Sequence, residues 1–312
     1  MPLNEFDLIK RIIKKIPRKL QGPLGIGDDT AVLNFRGKKK WLFTTDVLVD
    51  GVDFISGKTP PRLVGRKALA VNISDVAAMG GEPSACLVSL GIPRRFNPRW
   101  IDLFYDGLIQ LAQKYKIQCA GGDISRSREF FVSVALLGIS QSGKIITRSD
   151  ACRGDAIFVT GELGGSILRH HLLFEPRLEE SRFLIRYFHP TSMIDISDGL
   201  IQDLEHILEL SRCGASMDVA FIPVSRDARR LAKGNRVRAL EHALTDGEDF
   251  ELLFTVPSRE KEKLLSAWKK RFPKVSLSVI GEMTSARQKI VWCREGKRVP
   301  APKLKKKGFS HF

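Results

Sequence analysis

Apolar and β-branched residues run almost unbroken through 41–49 ("WLFTTDVLV"), which predicts a buried strand. In 60–81, Leu69, Ile73, Val76 and Ala77 recur at helical spacing and Gly80-Gly81 supplies a stop. That stretch predicts a helix with Asp75 off its apolar stripe. Residues 84–93 and 130–140 read as strands, 99–116 as an amphipathic helix, and 117–125 as a strand running into a glycine turn. The pattern restarts near 148: "AIFVTG" is a strand, "ELGGSILRHHLLF" opens a helix, and 170–192 is polar and helical. "MIDIS" is a strand, and "GLIQDLEHILELSRCG" is a helix ending at Gly214. Strands return at 250–256 and 274–283, while "RLAKGNRVR" reads as a solvated loop or helix face. Phe6, Ile9, Ile12, Ile13 and Ile16 predict an amphipathic first helix that docks on the body. Strands and helices mix without regular βαβ alternation, so the expected class is α+β in two domains, 1–148 and 149–312.

Composition adds constraints. Of 312 residues, 43% are hydrophobic, enough for a sizeable core. No apolar run approaches ~18 residues, so no membrane partner is expected. Glu5 and Asp7 argue against a transit peptide. Five scattered cysteines (Cys86, Cys119, Cys152, Cys213 and Cys293) with no C-x-x-C pair predict reduced thiols and a cytoplasmic location. The net charge of +16 raises nucleic acid as a partner. The basic residues crowd 226–238, 259–274 and the tail, with no zinc finger or RNP motif beside them. A solvated basic surface that steers anions is the expectation, with no nucleic-acid partner.

The acids carry the chemical signal. "GIGDD" places Asp28 and Asp29 after Gly25 and Gly27; "TTD" places Asp46 beside Thr44 and Thr45 inside a strand. "NISD" supplies Asp75, "GGD" Asp123, "IDISDG" Asp195 and Asp198, and "DGEDFELLF" Asp246, Glu248 and Asp249. One such acid is an ordinary N-cap or turn former, the reading kept for Asp28 and Asp246. The recurrence demands more, because unpaired carboxylates gathered in a core repel one another and are desolvated. Mg²⁺ resolves this by bridging a few carboxylates to substrate phosphates. Glycines let backbone N–H groups approach phosphate oxygens. No Walker A loop and no protein-kinase catalytic set is present, so any nucleotide is held through acid-bound metal.

These stretches resemble the thiamine-monophosphate kinases, within the ATP-binding superfamily of aminoimidazole ribonucleotide synthetase. The resemblance rests on "GIGDDTAVL", "TTDVLVDGVDF", "KALAVNISDVAAMGGEP", "GGDIS", "TGELGGS", "IDISDGLIQDLEHI", "GEDFELLFTVP", "IGEM" and "GFSHF", in family order along nearly the whole chain. It implies transfer of the γ-phosphate of ATP to thiamine monophosphate, giving thiamine diphosphate, with several Mg²⁺ ions. It implies a homodimer of two-domain subunits whose N-terminal halves share a β-barrel. By motif position, Asp29, Thr44, Thr45, Asp46, Asp75, Asp123, Asp195 and Asp198 resemble the metal ligands. Gly122, Asp123, Arg148 and Ser197 resemble nucleotide contacts, Arg148 and Asp198 catalytic groups, and Glu248 a thiamine contact.

The departures fall on the acceptor side. Asp53 stands where the family has histidine, Ser310 replaces an aspartate of the closing motif, and Lys306 stands near a family aromatic. Asp53 and Lys306 thus join Glu248 as the expected acceptor contacts. The alternatives are another ATP-dependent superfamily member with a different acceptor, or a homologue that binds ATP without transferring phosphate. Selenophosphate synthetase is disfavoured because the first cysteine is Cys86, and the hydrogenase-maturation member because the chain ends in Phe312. His170, His171, His189 and His206 show no ligand spacing that fits the acids and read as packing residues.

Overall fold

The structure, a computed structural model, describes residues 5–18, 23–24, 26–33, 39–140, 143–286 and 288–310. Gly25, the side chain of Phe6 and the closing His311 and Phe312 lie outside the described residues. Two compact units form, each α+β with its own sheet. The first comprises Asp29–Ile145 and His171–Leu178; the second comprises Met1–Asp28, Ile146–His170 and Glu179–Phe312. The first helix, α1 (Glu5–Lys15), therefore belongs to the unit built from the C-terminal half.

The first unit holds β1 (Ala31–Leu33), β2 (Lys40–Val49), α2 (Pro61–Ala78), β3 (Glu82–Pro93), α3 (Pro98–Tyr115), β4 (Gln118–Ser127) and β5 (Phe131–Ser140). Its sheet runs β1-β2-β5-β3-β4, antiparallel except for the β3–β4 pair. β5 alternates without a break between half-buried and buried positions, the period of a strand with one covered face. Leu42, Leu48, Val88, Leu90, Val132, Val134 and Leu136 are buried. Phe43, Val47 and Leu87, which alternate with them, are 41%, 50% and 47% exposed.

α2 and α3 cross at two glycines. A Cβ on Gly65 would stand 1.9 Å from the Phe104 carbonyl oxygen, and one on Gly107 would stand 1.8 Å from that of Arg62. Segment 171–178 docks on these helices. Arg66 donates to Leu172 O at 3.1 Å and to Glu175 Oε1 at 3.0 Å, and Tyr115 donates to Glu175 Oε2 at 3.1 Å. Phe174 is buried.

The second unit holds β6 (Asp155–Thr160), α5 (Leu178–Tyr187), β7 (Ser192–Asp195), α6 (Leu200–Ser211), β8 (Gly214–Asp218), α7 (Arg226–Leu231), α8 (Arg236–Thr245), β9 (Leu252–Pro257), α9 (Lys261–Arg271), β10 (Leu277–Thr284), β11 (Ile290–Arg294) and β12 (Lys297–Arg298). The short α4 (His170–Leu173) precedes α5 at the return to segment 171–178. The sheet order is β12-β11-β8-β10-β6-β9-β7. β6 and β7 are buried at every position, in keeping with the apolar stretches Ala156–Val159 and Met193-Ile194 at their centres. Ile157, Ile194, Leu204, Ile207, Leu253 and Ile280 pack in one core. Phe158 and Phe254 stack 5.3 Å apart, and Phe183 meets Trp268 and Phe272 edge-on.

Two expectations change. β4 continues through Gly121-Gly122 instead of ending there, because β3 supplies a parallel partner on both sides of the pair. A Cβ on Gly122 would lie 1.8 Å from the Val88 carbonyl oxygen, so glycine is required by strand approach. Segment 170–192 is interrupted: between α4 and α5 the chain leaves helical geometry to dock on the first unit. The basic stretch read as a solvated loop or helix face is both: 226–238 forms α7, a short turn and the start of α8, the helices N-capped by Ser225 and Asn235. No sheet is closed among the described residues. Among them, no helix is long and apolar enough to cross a membrane.

Candidate functional site

In the first unit the acids converge where β2 meets α2. The strand's two-residue period puts Thr44 and Asp46 on the face covered by α2, where Asp75 emerges from the helix. Thr44 Oγ1 donates to Asp75 Oδ2 at 2.5 Å. Asp29 and Asp75 bring carboxylate oxygens within 4.8 Å of each other. Asp46 Oδ2 is buried and has no hydrogen-bond partner. Burial first, then the charge of Asp53, pushes the Asp46 carboxyl up to about 6, against a lowering hydrogen bond with Asp75. An all-oxygen donor set with a buried, unsatisfied carboxylate oxygen fits Mg²⁺, whose charge would relieve that strain.

Thr45 and Asp123 stand apart from this group. Thr45 points to the opposite face, where its hydroxyl lies 3.2 Å from Ser133 Oγ. Adjacent residues of a strand cannot present side chains to one ion, so only backbone groups of Thr45 remain available there. Asp123 is exposed on β4 in register with Ser89, which places it on the Leu87 face. Asp53 uses its carboxylate locally, accepting from Val49 N at 2.7 Å, while its carbonyl accepts from Lys67 Nζ at 3.1 Å.

In the second unit Asp195 ends β7 and is 1% exposed. The chain then turns through Ser197 and Asp198 into α6 at Gly199, whose φ is +119°. Asp203 Oδ2 accepts from Asp198 N at 3.1 Å and Gly199 N at 3.0 Å. Gln202 Nε2 donates to Asp198 Oδ2 at 2.9 Å and to Phe309 O at 3.0 Å, and Phe309 N donates to Asp198 O at 2.9 Å. The tail thereby closes on the Asp198 turn. Within it Lys306 is exposed, and Lys307 reaches Glu205 at 2.6 Å.

Arg148 enters the same neighbourhood. Its backbone N–H donates to Asp28 Oδ1 at 3.1 Å and its Nη1 to Gly27 O at 3.4 Å. Asp203 is pushed well above the carboxylate range by burial and by the charges of Asp198 and Asp195, against Arg148. His206 is pushed down to about 4 by burial, then by Arg148 and Lys10, so its imidazole is neutral at neutral pH. Asp198, Asp203 and His206 present ligand-type atoms within 4.8 Å of one another. Sequence reasoning passed over Asp203 and read His206 as a packing residue with no spacing that fits the acids; the fold instead sets it beside Asp198 and Asp203. The i, i+3 spacing of Asp203 and His206 puts both on one side of α6, and only the fold brings Arg148 to them.

The "TDGEDFE" acids divide by role. Asp249 accepts Gly164 N with both oxygens, at 3.0 and 2.9 Å, and Asp246 Oδ2 accepts Gly165 N at 2.9 Å. Glu251 accepts from Thr160 Oγ1 at 2.6 Å. These three hold the "TGELGGS" turn. Glu248, at φ +65°, instead donates its N–H to Ser197 O at 2.7 Å, tying the Ser197 and Glu248 loops together.

Comparisons with known proteins identify the family. The family described as AIR synthase related protein matches with its N-terminal domain over residues 27–140 and its C-terminal domain over 138–293. Thiamine-monophosphate kinase of Escherichia coli K12 is 36% identical over 332 aligned positions, covering 100% of this chain and 99% of the relative. The chain belongs to the thiamine-monophosphate kinase family. The enzyme of that name from Rhodopirellula baltica is 40% identical over 248 residues, 77% of this chain and 78% of the relative. The solved structure of AaThiL complexed with AMPPCP and TMP aligns with a TM-score of 0.83 at 32% identity, covering 100% of this chain and 99% of that one. Within this family the quoted motifs span both units.

Proposed function

We propose that this chain transfers the γ-phosphate of ATP to thiamine monophosphate, yielding ADP and thiamine diphosphate. The observation that carries this reading is full-length similarity to thiamine-monophosphate kinases, one of them solved with AMPPCP and TMP.

The acceptor is itself a phosphate, and a phosphomonoester's second pKa is about 6, so its oxygen is largely ionised at neutral pH. It attacks the γ-phosphorus directly as the bond to ADP breaks, without a general base or a phospho-enzyme. Asp29, Thr44, Asp46 and Asp75 of the first unit, and Asp195 and Asp198 of the second, would hold Mg²⁺; exposed Asp123 offers a further carboxylate. Bound there, Mg²⁺ supplies neutralisation of phosphate charge. Arg148 places a permanent cation next to the Asp198 turn, suited to charge on the transferring phosphoryl group. Gly122 and Ser197 serve the nucleotide, and Glu248 serves the thiamine, its backbone fixed by Ser197. Asp53 and Lys306 belong on the acceptor side.

The subunit acts as a homodimer in which first-unit sheets of two copies form a shared barrel. Support comes from the exposed Phe43, Val47 and Leu87 on the sheet face away from α2. The domain assignment 1–148 and 149–312 and a cytoplasmic location complete the reading.

The test is a product assay with ATP, Mg²⁺ and thiamine monophosphate, quantifying thiamine diphosphate and ADP, with Asp198→Asn as control. Stoichiometric diphosphate, lost in the variant, supports the reading. ATP and Mg²⁺ binding without diphosphate overturns the acceptor, and Asp53 and Lys306 then become the positions to probe for another one.

A further inference from the structure

Two cysteines of the first unit lie side by side. Cys86 on β3 and Cys119 on β4 are register partners in the parallel pair, and their Sγ atoms are 3.9 Å apart. Adjacent strands lie about 4.8 Å apart, within the Cα separation of about 4.4–6.8 Å that a disulfide spans. Cys86 is buried and Cys119 is exposed. The register slips immediately after the pair, leaving Ala120 without a partner, and a Cβ on the following Gly121 would meet only Leu87 Cδ2, at 3.8 Å. The backbone beyond Cys119 therefore has slack to absorb a shorter sulfur–sulfur distance. The pair shares the face of β3 that carries Val88 and Leu90, close to Tyr105 of α3. The apolar Leu87 face, assigned above to the dimer, is the opposite one. No step of the proposed phosphoryl transfer uses either thiol.

We propose that Cys86 and Cys119 are a reversible disulfide-forming pair that reacts with low-molecular-weight disulfides. The exposed Cys119 thiolate attacks one sulfur of the oxidant RSSR, forming a mixed disulfide and releasing RS⁻. The Cys86 thiolate then attacks the Cys119 sulfur and expels the second RS⁻. Two protein thiols are oxidised, one RSSR is reduced to two RSH, and the two thiol protons pass to the released thiolates. Cys152 and Cys213 do not share this arrangement, since each directs its sulfur to a separate carbonyl, Asp150 O and Ala151 O. Burial, followed by the neighbouring Cys119, pushes the Cys86 thiol up to about 12. Closure is accordingly slow near neutral pH and speeds up about tenfold per pH unit over the mildly alkaline range, following the thiolate fraction.

The experiment treats the full-length protein with oxidised glutathione and follows intact mass and thiol-labelled peptides. The wild type is expected to lose two hydrogens without retaining glutathione, with Cys86 and Cys119 linked and dithiothreitol restoring both thiols. Cys119→Ser, an exposed position that the fold tolerates, is expected to prevent the link. Cys86→Ser is expected to trap glutathione on Cys119. A stable glutathione adduct on wild-type Cys119, or a Cys152–Cys213 link with Cys86 still free, overturns the proposal.

Discussion

Asp203 Oδ2 accepts the backbone N–H of Asp198 at 3.1 Å, so one carboxylate fixes the turn that presents another. Because burial and like charges already push Asp203 well above the carboxylate range, an uncharged amide is tolerated by the fold. Asp203→Asn is expected to melt near the wild-type temperature yet lose about 10–100-fold in Mg²⁺-dependent phosphorylation, the range for groups that orient metal ligands. Steady-state rates across a Mg²⁺ titration check this; a wild-type rate at limiting Mg²⁺ removes the positioning role.

Lys67 is fully buried, and its ammonium lies 3.2 Å from His171 Nδ1 while donating to Asp53 O. Lys67→Met strips that donor from both acceptors, and a buried group losing its partner costs about 1–3 kcal/mol. Urea unfolding is expected to show that loss. Adding His171→Leu to Lys67→Met is expected to cost less than the sum of the single changes, because removing both polar partners is milder than removing one. Additive costs argue against a coupled pair.

Gly107 gives the opposite of the usual helix rule. Alanine at an exposed helix position gains about 1 kcal/mol over glycine. Here the added Cβ would stand 1.8 Å from the Arg62 carbonyl oxygen, and backbone cannot yield as a flexible side chain does. Overpacking of this kind costs about 1–3 kcal/mol or more, so it outweighs the propensity gain. Gly107→Ala is expected to melt several degrees lower; an unchanged or higher melting temperature would mean that α2 and α3 separate without penalty.

Glu175 supplies a pH signature. Burial raises its pKa, but the Lys114 hydrogen bond and charge, the Arg66 charge and the Tyr115 hydroxyl outweigh it, leaving the carboxyl below 4.5. The folded state then binds fewer protons than the unfolded chain in that window. The stabilisation is complete above about 4.5 and fades as pH falls through the depressed folded value. Glu175→Gln is expected to lower the melting temperature modestly at neutral pH, because the side chain is 51% exposed, and to match the wild type in stronger acid. A gap that persists unchanged in acid points to packing instead of charge.

The acids at Asp46 and Asp75 were legible because each interrupts an apolar run, and the strand period separates Thr44 from Thr45 once the faces are assigned. The glycine pair misled. Gly121-Gly122 carries the local signature of a turn, yet a parallel partner from a distant segment holds it as strand, and no local pattern encodes that partner. Asp203 and His206 hid for a similar reason: their helical spacing is visible, but the Arg148 charge that shifts both reaches them only through the fold. Segment 171–178 was read as helix because its polar periodicity says nothing about where Arg66 and Lys67 will anchor it.

That segment also bears on how the molecule can be divided. The first unit takes Asp29–Ile145 and then reclaims His171–Leu178, while the second is threaded from three stretches of chain. Cutting any single peptide bond near 148 strands α1 with the wrong half and deprives α2 and α3 of Phe174 and Glu175. Separating the two units completely would take four cuts, at 28/29, 145/146, 170/171 and 178/179, and would leave five stretches of chain, two for the first unit and three for the second.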